Sequence, residues 1–190
     1  MLGDMTDRGP DLATLRTMCA RTGCTLRRAH NVGGGHAAYT IECHTHPNKV
    51  ALLDELASYD ATCPEVRALA ERLSQAAGGD AMRTAAGIHR LVQGRVRHIH
   101  EAGEVFTHTM RTLEVGRGDC DDTARAIVAL LRAIGIPANL RTVGNPPRHV
   151  YAEAQIDGRR CPLEATIAAN PGEPPLVAAR RLGIRNRDDL

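Results

Sequence analysis

Gly118-Asp119-Cys120-Asp121-Asp122 sets a cysteine at the start of a predicted helix. The residues that follow, Ala124, Ile127, Val128, Leu131 and Ile134, share one helical face. Gly135 stands where a left-handed cap belongs, and Pro137 follows it. A thiol in that position lies among free backbone N–H groups and at the positive end of the helix dipole, both of which favour the thiolate. The neighbouring Asp119, Asp121 and Asp122 oppose it by like charge. Downstream come His149-Val150-Tyr151 and Pro162-Leu163-Glu164-Ala165-Thr166. Cysteine, histidine and carboxylate are the raw material of acyl transfer through a thioester, provided that the three can meet.

Turn chemistry decides whether the histidine and the acid meet. Asp157-Gly158 is a two-residue primed hairpin turn. Closing the hairpin there pairs Ile156 with Arg159, Glu153 with Pro162, Tyr151 with Glu164 and His149 with Thr166. Side chains alternate along a strand, so His149, Tyr151, Glu164 and Thr166 share one face. Glu164 is then a diagonal neighbour of His149, about 7–8 Å away by backbone position and within reach of a long side chain. The opposite face, Val150, Ala152, Ala154, Ile156, Cys161 and Leu163, is apolar and predicts a core contact. The helix that begins at Cys120 is expected to pack against this sheet. The Cys120 N–H is a candidate oxyanion donor, and Thr107, His108 or Thr109 could supply a second.

Outward from this centre, helices dominate the middle of the chain. Leu12, Leu15, Met18 and Cys19 predict a helix over 11–22. Residues 25–29 and 37–43 read as two strands around Gly33-Gly34-Gly35. That glycine turn lacks the Lys-Ser/Thr of a phosphate loop. A helix over 49–59 follows, and Thr62-Cys63-Pro64-Glu65 starts another. Gly78-Gly79 ends that one, and Met82, Ala85, Ala86, His89, Val92 and Val96 stripe the next. Residues 111–118 read as a loop, and 140–143 and 150–156 as strands. His98, His100 and His108 read as surface histidines, and Arg180-Arg181 as part of a solvated end.

Bulk composition narrows the class. The chain has 190 residues, is 43% hydrophobic and 24% charged, and only 2% aromatic, so its core must be aliphatic. The net charge of +2 gives little reason to expect a nucleic-acid partner. Lys49 is the sole lysine among 24 basic residues. The N-terminal residues lack a signal-peptide pattern, and the longest apolar run, 126–131, is too short for a membrane span. A cytoplasmic protein is expected, its six cysteines thiols rather than disulfides.

Residues 113–138 and 149–166 resemble the transglutaminase-like superfamily, papain-related cysteine enzymes of bacterial and phage genomes. The segments that carry the resemblance are Leu113-Glu114-Val115-Gly116-Arg117-Gly118-Asp119-Cys120-Asp121-Asp122, then Leu130-Leu131-Arg132-Ala133-Ile134-Gly135-Ile136-Pro137-Ala138. His149-Val150-Tyr151-Ala152-Glu153 and Pro162-Leu163-Glu164-Ala165-Thr166 complete the set. The resemblance implies an α+β, papain-like fold with the nucleophile helix on an antiparallel sheet. It implies Cys120 as nucleophile, His149 as general base and acid, and Glu164 as the residue that orients the imidazole. The family usually has Asp where Glu164 stands, and often Trp where Tyr151 stands. The implied reaction is acyl transfer on an amide or peptide bond, as a peptidase or amidase, or as a cross-linking enzyme with an amine acceptor. The partner would be a protein or peptide, and no cofactor is required.

Two other readings stand beside it. One is a structural or assembly protein, such as a phage virion component, that uses the fold as a binding scaffold. On this division residues 1–60 form an N-terminal elaboration and docking element, 61–170 the transglutaminase-like domain, and 171–190 a C-terminal tail; a phage-encoded chain would reside in the virion. The other is a zinc site of Cys24, Cys43 and His46, against which stands the lack of any Cys-x-x-Cys pair.

Overall fold

A computed structural model describes residues 9–33, 36–99, 106–144 and 147–184. The chain groups into two compact units, Met1–Leu56 and Ala57–Leu190.

In the first unit, α1 (Leu12–Thr22) is capped by Asp11, whose side chain accepts the Thr14 N–H at 2.7 Å. The antiparallel pair β1 (Cys24–Gly33) and β2 (His36–Cys43) follows, with Cys24 opposite Cys43. These two cysteines form a disulfide. That corrects the expectation of thiols throughout. It also occupies both sulfurs of the zinc set drawn from Cys24, Cys43 and His46. Gly34 and Gly35 of the glycine turn lie outside the described residues. The helix α2 (His46–Asp60) then runs across the boundary between the units.

The second unit is built around one helix. Pro64 opens α3 (Pro64–Ala76) at the position where a missing N–H costs nothing. Asp80 caps α4 (Ala81–Arg95) by accepting the Arg83 N–H at 2.7 Å. The short strands β3 (Arg97–His98) and β4 (Arg117–Gly118) pair in parallel. Between them lies α5 (Thr109–Val115), in place of the loop expected over 111–118. Two contacts explain it, a local cap and a tertiary one. The His108 ring Nδ1 accepts the Met110 N–H at 3.2 Å, and Asp60 binds the Thr109 N–H at 2.9 Å.

The central helix is α6 (Cys120–Ala133). Its residues 121–131 are all buried, because α3, α4 and α5 pack against it on one side and the sheet on the other. The expected one-sided stripe is therefore a helix enclosed nearly all round. The N–H groups of Gly135 and Ile136 close it on the carbonyls of Arg132 and Leu131, at 3.0 Å each. The sheet has the order β5 (Ala138–Gly144), β6 (Pro147–Ile156), β7 (Arg159–Leu163), all antiparallel. Asp157 and Gly158 both have positive φ, 49° and 73°, as the primed turn requires. Ile156 faces Arg159 and Glu153 faces Pro162, the register expected. Val150, Ala152, Ala154, Ile156, Cys161 and Leu163 are all buried. Finally, α7 (Pro175–Arg181) returns Arg181 to Glu173, at 2.8 Å, and to the Ala168 carbonyl, at 2.7 Å. Arg181 is thus tied down while staying exposed to solvent, as expected.

Candidate active site

The nucleophile candidate is the first residue of α6. Asp119 caps the helix, its Oδ1 accepting the N–H groups of Asp121 at 2.9 Å and Asp122 at 3.3 Å. Thr123 Oγ1 donates to the Cys120 carbonyl at 3.1 Å. Cys120 itself is half-buried, and its Sγ lies 3.8 Å from Asp121 Oδ1. The approach to it is held by β4, where the Arg97 and Ile99 N–H groups each bind a carbonyl, those of Gly116 and Gly118, at 3.0 Å. A Cβ on Gly118 would lie 2.7 Å from Asp122 Oδ2 and 2.8 Å from Asp122 Cβ, so only glycine lets the buried Asp122 fold back here. Asp122 Oδ1 in turn accepts the Thr107 N–H at 3.2 Å. Asp119, Cys120 and Asp121 each bring one potential ligand atom within 4.8 Å of the others, although Asp119 Oδ1 is already engaged by the cap.

His149, on β6, is 3% exposed. Its Nε2 is hydrogen-bonded to Glu164 Oε2. Its Nδ1 is buried and has no hydrogen-bond partner among the described residues. With the Nε2–H donating to the ionised carboxylate, the lone pair of the neutral ring lies on Nδ1. The strand that carries His149 is one of the two, with β5, against which α6 packs.

Glu164 is almost fully buried. Burial opposes its ionisation. The His149 hydrogen bond and charge, with two hydrogen bonds from Thr166, outweigh that and hold the carboxyl below the usual range. Thr166 donates both its N–H and its Oγ1–H to Glu164 Oε1, at 2.6 Å each. The ladder between β6 and β7 ends at Ala152 and Leu163. The expected pairs Tyr151 with Glu164 and His149 with Thr166 are therefore absent, although the contact between His149 and Glu164 forms. The cause is competition for the backbone. The Glu164 carbonyl accepts the His89 Nε2–H at 2.5 Å, and the Thr166 N–H is taken by the carboxylate.

Of the three candidates, then, His149 and Glu164 are in direct contact, and Cys120 begins the helix that packs on the histidine's strand. The candidate second oxyanion donors fare differently. The N–H groups of Thr107 and Thr109 are bound to Asp122 and Asp60. His108 is buried beside Asp60, with Nε2 3.4 Å from Oδ1, and is not the surface residue expected. His100 lies outside the described residues.

Sequence reasoning missed two polar groups. One is the buried Asp60, which binds Arg125 Nε at 2.9 Å and Nη2 at 2.8 Å and also accepts the Thr109 hydroxyl at 2.7 Å. The other is the pair His89 and Gln93 on α4. The signal for the second was present: His89 interrupts an aliphatic stripe on a helix face that turned out to be buried.

A family model described as the transglutaminase-like superfamily matches residues 67–165, just over half of the chain. Two solved structures described as putative proteases are similar. A protease from Parabacteroides distasonis is 14% identical with a TM-score of 0.54, over 75% of this chain and 30% of that one. A cysteine protease from Cytophaga hutchinsonii is 23% identical with a TM-score of 0.44, over 57% of this chain and 42% of that one. The chain thus spans less than half the length of either. No curated protein matches it. The α+β architecture is that of the transglutaminase-like, papain-like structures. Among the described residues no helix is long and apolar enough to cross a membrane.

Proposed function

The chain belongs to the transglutaminase-like superfamily, and from that premise we propose that it is a thiol acyltransferase acting on amide or peptide bonds, with Cys120, His149 and Glu164 as its catalytic triad. One observation carries the reading. The imidazole of His149 gives Nε2 to a buried carboxylate and keeps Nδ1 buried and unpartnered among the described residues, on the strand under the Cys120 helix.

In this mechanism His149 Nδ1 takes the proton of Cys120 Sγ. The thiolate attacks the carbonyl carbon, forming a C–S bond and an oxyanion. Collapse of that intermediate breaks the C–N bond, and the amine leaves with the proton from Nδ1. Water, deprotonated by the same nitrogen, then attacks the thioester; the C–S bond breaks and the acid is released. An amine in place of water gives a new amide instead. Glu164 stays ionised, fixes the ring tautomer and stabilises the imidazolium. Its greater length than Asp suits its position, since it reaches His149 from beyond the end of the ladder. Residues 1–60 are assigned as an elaboration that docks a partner, 61–170 as the catalytic domain and 171–190 as a tail.

Intact-mass spectrometry with peptide esters and glutamine-containing peptides tests the reaction. A mass gain equal to the acyl group, lost in Cys120→Ala and discharged faster by an added amine, is expected. Folded protein that never gains the acyl mass would contradict the enzyme reading and favour the assembly scaffold.

A further inference from the structure

We propose that His89 and Gln93, one turn apart on α4, form a positioning clamp that holds Glu164 in line with His149. The proposal rests on the reading of Glu164 as the residue that orients the imidazole. Among the described residues Glu164 and those after it pair with no strand, because β7 stops at Leu163. Something else must fix them. The His89 Nε2–H donates to the Glu164 carbonyl at 2.5 Å, and Gln93 Nε2 donates to the carbonyls of Ile167 at 2.7 Å and Ala169 at 3.0 Å. Three carbonyls between 164 and 169 are thereby bound to one face of one helix.

Packing alone does not account for His89. It is fully buried beside Ala85, Ile88 and Val92, and its Nδ1 has no hydrogen-bond partner among the described residues. A polar atom left so is desolvated without compensation, a cost that leucine would not incur. What the imidazole adds over leucine is the bond to Glu164. Burial pushes the ring below its usual pKa range, against the pull of Glu164, so the donor is the neutral ring. The consequence for Glu164 is geometric. Its backbone carbonyl is held by His89 and its Oε1 by Thr166, which leaves Oε2 turned to His149 Nε2. His89 touches no reacting atom in this scheme; it acts through Glu164.

The test uses the full chain, labelled with ¹⁵N-histidine, and two readouts. The first is the downfield NMR signal of the His149 Nε2 proton, which reports its bond to Glu164 whether or not the protein is an enzyme. The second is the alkylation rate of Cys120 near pH 6. In His89→Leu the proton should exchange about tenfold faster and the alkylation rate should fall about tenfold, on the scale of a small misplacement of a catalytic group. His89→Gln, whose amide can reach the same carbonyl, should restore both. If His89→Leu fails to fold, Gln93→Ala is read in its place, with the same changes expected. Either variant keeping the wild-type signal while only its melting temperature moves would overturn the clamp. A wild type without the signal would overturn it too. If the signal depends on His89 but wild-type Cys120 has no enhanced reactivity, the clamp stands and the enzyme reading falls.

Discussion

Asp60 gathers four donors, two from Arg125 and two from Thr109, as many as Glu173 takes from Asn170 and Arg181. It is fully buried, as is Arg125 at 2% exposure, so neither charge has water to fall back on. Asp60→Ala would strand the guanidinium and should cost about 3–5 kcal/mol, read as a lower urea midpoint. Replacing both charges with apolar residues of similar volume should cost far less. Such partnerships leave no trace in a sequence, since Asp60 and Arg125 are 65 positions apart and neither stands in a motif. His149 and Glu164 could be paired on paper because a turn of known geometry lies between them. The Thr166 contacts to Glu164 could not, because they replace the ladder that the turn predicts.

At the scale of elements, the hairpin and the central helix were legible because their signals are local. Asp157-Gly158 dictates a two-residue turn, and every pair as far as Leu163 follows from it. Gly158 has a φ of 73° with open space around its Cα, so a side chain there meets conformational strain alone. Gly158→Val should cost about 1–3 kcal/mol, measured by chemical denaturation. It should also raise hydrogen exchange at Ala152 and Ala154, the residues that the hairpin pairs with Leu163 and Cys161. By contrast, α5 was unreadable. Seven residues make a marginal helix on their own. Its first turn is held by Asp60, a residue 49 positions from Thr109.

For the whole molecule, the order of motifs from Leu113 to Thr166 carries the resemblance to the family, and the match over 67–165 takes in nearly all of that stretch. The cysteines were misread for want of a register. Cys24 and Cys43 stand almost equally far from the Gly33-Gly34-Gly35 turn, so a hairpin closed there brings them face to face. The loop between them spans 19 positions. Its closure should contribute about 3 kcal/mol to the first unit. Reduction with dithiothreitol should therefore raise amide exchange in β1 and β2, and alkylation should then reach Cys24 and Cys43. Unchanged exchange after complete reduction would show that the hairpin holds without its cross-link.

The most direct test of the triad is site-resolved alkylation of the thiols across pH, in wild type and His149→Ala. Cys19 and Cys161 are buried, and burial pushes both thiols up, so they should react last. Cys63 is half-buried, like Cys120, and serves as the internal reference. An activated thiolate predicts that near pH 6 Cys120 reacts at least about tenfold faster than Cys63. His149→Ala should erase that lead. Equal rates at Cys120 and Cys63 in the wild type, or a lead that survives the loss of His149, would contradict it.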